Sequence, residues 1–247
     1  MGHAALAVDE VRKLTADIWR GGEDGRFVSY EVPVRESQTV LDVVTWVQRR
    51  LDPTLAYRFA CRIGMCGSCA MTVNGVPRWT CRSQVRKVAK AGRLEIAPLR
   101  NLPRIRDLVV DMAPFFDKWQ KAGGRFRPAD AASEDFARVE PSSPMRLAAD
   151  AGIECIGCGV CHAACDVVAW RPDYLGPAAL NRAWTLVNDV RDGDRSGRLG
   201  MVAEDGGCHS CHSTGSCAAH CPKHLNPTAA IAGLKREVTR ALVRGEL

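Results

Sequence analysis

Val28, Tyr30, Val32 and Val34 alternate with polar neighbours, the period of a half-buried strand. Gly21-Gly22-Glu23-Asp24-Gly25 just before them can turn a hairpin, so a strand pair begins the first domain. The period then changes. Val40, Val44, Val47 and Leu51 recur at three to four residues, which predicts a helix capped by Thr39 and stopped by Pro53. Asn74-Gly75, lying between Ala70 to Val73 and Val76 to Thr80, is the strongest short hairpin signal in the chain. Sheet, one packed helix and a second hairpin describe a small α+β domain. The remainder reads as helical. Pro177 sits where a first helical turn accepts proline, and Leu180, Trp184, Val187 and Val190 form an apolar stripe behind it. Ile231, Leu234, Val238 and Leu242 form another after Pro227. Residues 123–130 and 140–144 between the halves are loop-rich. The junction is placed at residues 105–112, giving domains 1–108 and 109–247.

At 247 residues, with 46% apolar and 25% charged positions, the chain suits two small globular domains. Its apolar runs, such as Val167-Val168-Ala169-Trp170, fall far short of the roughly 18 residues that cross a bilayer. Met1-Gly2-His3-Ala4 lacks a basic n-region, and Leu6 occupies the position where a myristoylation motif needs Ser or Thr, so a cytoplasmic location is expected. The net charge of +6 is spread along the chain, which favours a solvated surface over a nucleic-acid footprint. Cysteine changes the picture. Twelve thiols in a chain expected in a reducing compartment point to metal or cluster ligands rather than disulfides.

The cysteines fall into three groups. Cys61, Cys66 and Cys69, with Cys81 beyond the Asn74-Gly75 hairpin, have the plant-type 2Fe-2S spacing. A tight loop supplies three thiolates, and a strand returning beside it supplies the fourth. A four-cysteine zinc site is the competing reading, although zinc ribbons prefer two separated Cys-x-x-Cys knuckles. Cys155, Cys158, Cys161 and Cys165 have the two-two-three spacing of bacterial ferredoxins, whose first three cysteines hold one cubane while the fourth serves a second cluster. Counting back from Cys221-Pro222 gives Cys217, Thr214 and Cys211, the same pattern with threonine at its second position. The two stretches form a pseudo-repeat. Cys155, Cys158, Cys161 and Cys221 then complete a 4Fe-4S set. Cys165, Cys211 and Cys217 supply only three thiolates, which predicts a 3Fe-4S centre; a cubane with a non-cysteine fourth ligand is the alternative. Cys208 is surplus and is read as a buried thiol. It creates a Cys-x-x-Cys-His pattern through His212, but covalent haem is rejected because Cys211 is already needed by the repeat.

With these motifs in order, the chain resembles the iron-sulfur subunit of succinate dehydrogenase and fumarate reductase. The resemblance rests on Cys61 to Gly75, Arg104 to Met112, Cys155 to Cys165, Pro172 to Ala178 and Cys211 to Pro227. It implies an N-terminal β-grasp 2Fe-2S ferredoxin domain followed by an all-α helical ferredoxin domain. It also implies a flavoprotein partner carrying FAD, a membrane anchor, and electron transfer between flavin and quinone through the 2Fe-2S, 4Fe-4S and 3Fe-4S centres. By the same resemblance Trp170 and His212 lie near the quinone, and the subunit sits peripherally on the cytoplasmic face of the inner membrane, held by its partners. From the residues alone, Trp170 in its apolar run reads as core. Asp166 stands where the family often has proline, and Thr214 and Cys208 also depart from its pattern. An iron-sulfur subunit of another quinone-linked flavoenzyme, or a zinc-binding interaction module, are the alternatives.

Overall fold

A computed structural model describes residues 12–129 and 135–247; the N-terminal reading at Met1–Ala4 and Leu6 lies outside them, as does Asp130. β1 (Lys13–Arg20) and β2 (Arg26–Pro33) form the expected antiparallel hairpin around Gly21–Gly25. α1 (Val40–Arg50) follows, and its start is a full capping box: Thr39 Oγ1 accepts from the Asp42 N–H, and the Asp42 carboxylate accepts from the Thr39 N–H. β3 (Ala70–Val73) and β4 (Val76–Trp79) pair across Asn74-Gly75, both at positive φ as a tight hairpin turn requires. The second strand stops one residue before the sequence reading placed its end, because Thr80–Arg82 tighten into a 3-10 turn that carries Cys81.

α2 (Val85–Val88) leads to β5 (Arg93–Ala97), which runs parallel to β1 and antiparallel to β3, completing a sheet in the order β2-β1-β5-β3-β4. α1 covers this sheet. Val40, Val43, Val44 and Val47 are buried against Leu14, Ala16 and Ile18 of β1, Met71 and Val73 of β3, and Leu94 and Ile96 of β5. Each such aliphatic side chain contributes about 1.5–3 kcal/mol on burial. Leu51, expected on the same stripe, is the C-cap and is exposed because the helix ends before turning it inward.

A small ribbon of β6 (Arg104–Arg106) and β7 (Val109–Val110) closes on Asp107, which is 1% exposed and accepts N–H groups from Gly21 and Ala56. The helical part contains α3 (Ala113–Lys121), α4 (Pro144–Ile153), α5 (Val160–Ala163), α6 (Asp166–Trp170), α7 (Pro177–Val187), α8 (Arg195–Ala203), α9 (Ser216–Ala219) and α10 (Pro227–Val243). Leu180, Ala183 and Val187 of α7 pack with Ile231, Leu234 and Val238 of α10 and Leu199 and Val202 of α8. Two residues assigned to these stripes lie outside them. Val190 falls beyond the end of α7, and Leu242 is half-exposed where Ala241 turns inward instead. Trp170, read from its apolar run as core, ends α6 with 70% of its surface exposed, while Val167 and Val168 take the buried positions.

The two parts share a core. Leu99, Leu102, Val110 and Phe115 pack with Ala163 of α5 and Ala178 of α7, and Arg58 donates to the Val110 carbonyl at 3.0 Å. Among the described residues no helix is long and apolar enough to cross a membrane.

Candidate metal centres

The loop between α1 and β3 wraps around the Cys61 sulfur. The N–H groups of Met65 and Cys66 point at it from 3.2 and 3.3 Å, and Cys66 Sγ lies 2.9 Å from Ser68 Oγ. Hydrogen bonds from the backbone of Ile63, Met65 and Cys66 bring the Cys61 thiol down to about 6. Cys69 and Cys81 lie deeper, buried with Leu41 and backed by Tyr57 and Trp79. Burial, and then the neighbouring Cys69, push Cys81 up to about 12. The four cysteines thus meet at one site, with donors on its outer rim and apolar cover behind, an arrangement that suits thiolate ligands whose deprotonation is driven by metal.

The pseudo-repeat is geometric as well as sequential. Gly159 and Gly215 each cap a four-residue helix in the left-handed conformation, at φ 76 and φ 80. The hydrogen bonds match: Ala163 N–H to Gly159 and Ala219 N–H to Gly215, then Cys165 N–H to His162 and Cys221 N–H to Ala218. Each half therefore presents one cysteine inside its short helix and a second just beyond it. The second crosses over. Cys155, Cys158, Cys161 and Cys221 line a single cavity together with Phe115, Ala178, Leu225 and Pro227. Burial, reinforced by the other sulfurs, pushes Cys158 up to about 12 and Cys161 well above the usual thiol range.

Cys165, Cys211 and Cys217 gather on the opposite side of the repeat, where burial raises the thiols of Cys165 and Cys217. Cys217 Sγ is 3.3 Å from Thr228 Oγ1. Thr214 and His212 are exposed, and Cys208 is fully buried in the helical core. Asp166 occupies the first position of α6 immediately after Cys165, where an acidic side chain complements the helix dipole and proline is equally acceptable. The departure from proline is therefore compatible with the local fold.

Two family models match the chain. The first, a 2Fe-2S iron-sulfur cluster binding domain, covers residues 15–117, and the second, a 4Fe-4S dicluster domain, covers 154–226. The fumarate reductase iron-sulfur subunit of Haemophilus influenzae is 34% identical over 214 residues, spanning 82% of each chain. The chain belongs to the iron-sulfur subunits of fumarate reductase and succinate dehydrogenase. A mitochondrial succinate dehydrogenase iron-sulfur subunit from Oryza sativa subsp. japonica is 34% identical over 80% of this chain and 70% of its own length. In solved structures, a chain of the Mycobacterium smegmatis Sdh1 complex superposes with a TM-score of 0.85 at 27% identity, covering 93% of this chain and 97% of that one. The fold is thus the expected 2Fe-2S domain with a mixed sheet followed by a helical ferredoxin region, and the subunit is the electron-transfer part of such a complex, carrying 2Fe-2S and 4Fe-4S clusters. Membership sets aside both the zinc module and the other flavoenzymes.

Residue spacing gave no sign of several polar partners. Tyr174, 1% exposed, faces Cys211; burial and the sulfurs of Cys211 and Cys165 push its phenol above the usual range. Lys235 donates to the Cys211 carbonyl at 2.7 Å from α10. Tyr174 approaches from the loop between α6 and α7 and Lys235 from α10, so only the fold brings them to Cys211.

Proposed function

We propose that Cys61, Cys66, Cys69 and Cys81 hold the 2Fe-2S cluster and that Cys155, Cys158, Cys161 and Cys221 hold the 4Fe-4S cluster. Cys165, Cys211 and Cys217 hold a 3Fe-4S cluster. When bound, these groups supply one-electron carriers. The protein residues do the rest. Backbone N–H groups at Cys61 stabilise charge on sulfur, and Cys66 and Cys61 stay near the surface while Cys69 and Cys81 are shielded. Leu225, Phe115 and Ala178 keep the second site apolar.

In this reading electrons pass between FAD in a flavoprotein subunit and quinone at a membrane anchor, in either direction. The anchor holds the subunit peripherally at the cytoplasmic face of the inner membrane. Trp170 and His212, both solvent-facing, lie near the quinone, and the division into domains falls at 108/109. The observation that carries the ligand sets is the cavity shared by Cys221 with three cysteines of the other half-repeat, the crossing a two-cluster ferredoxin needs. Succinate:quinone activity of the purified complex tests the function. Activity that survives in Trp170→Ala with unchanged KM for quinone excludes that residue from the quinone site. Activity with dichlorophenolindophenol as acceptor but none with any quinone contradicts the proposed route.

A further inference from the structure

α5 is only four residues long, so its last carbonyls have few partners within the helix, and it is the element that carries Cys161 and delivers Cys165. Their partner comes from the other domain. Asn101, in the turn between β5 and β6, places its Nδ2 3.0 Å from the His162 carbonyl, 3.0 Å from that of Cys165 and 3.5 Å from that of Ala163. Three acceptors around one atom fix the orientation of the amide, since its oxygen could bond to none of them. The backbone at Asn101 is left-handed, φ 64, a conformation asparagine tolerates better than most residues. On either side Leu99 and Leu102 are buried against Ala163, so the turn is anchored to the helix that it caps.

We propose that Asn101 is a positioning residue of the electron relay. Donated from the 2Fe-2S domain, its amide fixes the end of α5, and with it the placement of Cys165 and the potential of the centre that Cys165 serves. This rests on the ligand sets proposed above. Removing the amide takes a side-chain donor from the His162 and Cys165 carbonyls, leaving them only their backbone partners, and takes away the positive end of a dipole, which makes reduction of that centre harder. Two replacements isolate the effect. Asn101→Gly keeps the left-handed backbone without the side chain, and Asn101→Leu fills nearly the same volume with neither an N–H to donate nor a charge.

The experiment is a redox titration of the anaerobically purified complex, followed by electron paramagnetic resonance of each centre. In both Asn101 variants the Cys165 centre shifts to lower potential with a broadened signal, while the 2Fe-2S centre titrates as in the wild type. Potentials unchanged in both variants, or a shift shared equally by all centres, overturn the proposal. Because Asn101→Leu nearly preserves shape and adds no charge, it carries the test if Asn101→Gly does not assemble. Cys165→Ser separates the two levels. If it abolishes the third signal while the Asn101 variants leave that signal unmoved, the strap alone fails; if Cys165→Ser leaves every signal intact, the ligand sets fail and the strap with them.

Discussion

Gly67→Ala probes the place where the two iron-sulfur loops touch. A methyl built at Gly67 lies 2.6 Å from Cβ and 2.9 Å from Cα of Cys158, with φ at +72. Neither atom is the tip of a flexible side chain, so restoring a contact of about 3.5–4.0 Å requires the loops to part by about 1 Å. The left-handed backbone costs about 1–2 kcal/mol for a residue with a Cβ, and overpacking a tight contact costs about 1–3 kcal/mol more. Gly75→Ala is the control. It has a similar φ of +78 and nothing within 4 Å of the added methyl, so it carries the backbone cost alone. The assay is the apparent unfolding temperature of the cluster-loaded protein under anaerobic conditions. At about 2–4 °C per kcal/mol for a chain of this size, Gly67→Ala unfolds several degrees below Gly75→Ala. It also alters the paramagnetic line shape of the first two centres, which Gly75→Ala leaves alone. Equal losses of stability in the two variants, with unchanged line shapes, would show that the two loops are not in tight contact at Gly67.

Thr214→Cys supplies the thiolate that the second half-repeat lacks and converts the third centre to four irons; an unchanged oxidised spectrum from fully loaded protein counts against the ligand sets. Tyr174→Phe removes the phenol O–H facing Cys211 and lowers the potential of the third centre by about 20–60 mV, the one-electron equivalent of a net hydrogen bond of about 0.5–1.5 kcal/mol. An unmoved midpoint would show that the phenol does not tune the centre. Arg198 and Asp192 form a buried ion pair, with Nη2 at 2.7 and 2.8 Å from the two carboxylate oxygens and side chains 1% and 0% exposed. Asp192→Ala strands the guanidinium and destabilises the helical part by about 3–5 kcal/mol, measured by denaturant titration of the loaded protein. A loss under 1 kcal/mol would mean that water or another acceptor replaces the carboxylate.

Local signals were legible where one residue type decides the backbone. Thr39 before an apolar helical period, and Asn74-Gly75 between two short runs, fixed α1 and the second hairpin almost to the residue. Cysteine spacing was equally local, and the matched caps at Gly159 and Gly215 show why: each half-repeat is one short helix with its thiols at set positions. What the pattern could not reveal was long-range. The parallel pairing of β1 with β5 joins Thr15 to Arg93 and depends on the path of the whole domain. Trp170 shows the limit of composition, because a five-residue helix buries two of its valines and turns the indole outward. Asn101 and Tyr174 left no trace in the spacing, since each reaches its cysteine-bearing segment from a different element.

In the proposed ligand sets eleven thiolates divide as four, four and three around iron and sulfide. Iron, acid-labile sulfide and zinc measured on the same anaerobically purified protein, together with its oxidised and reduced paramagnetic spectra, test it most directly. The expected result is two-, four- and three-iron centres in each chain, with the three-iron signal present in the oxidised state. Zinc with little sulfide, or the absence of a three-iron signal from protein with full iron content, would contradict it.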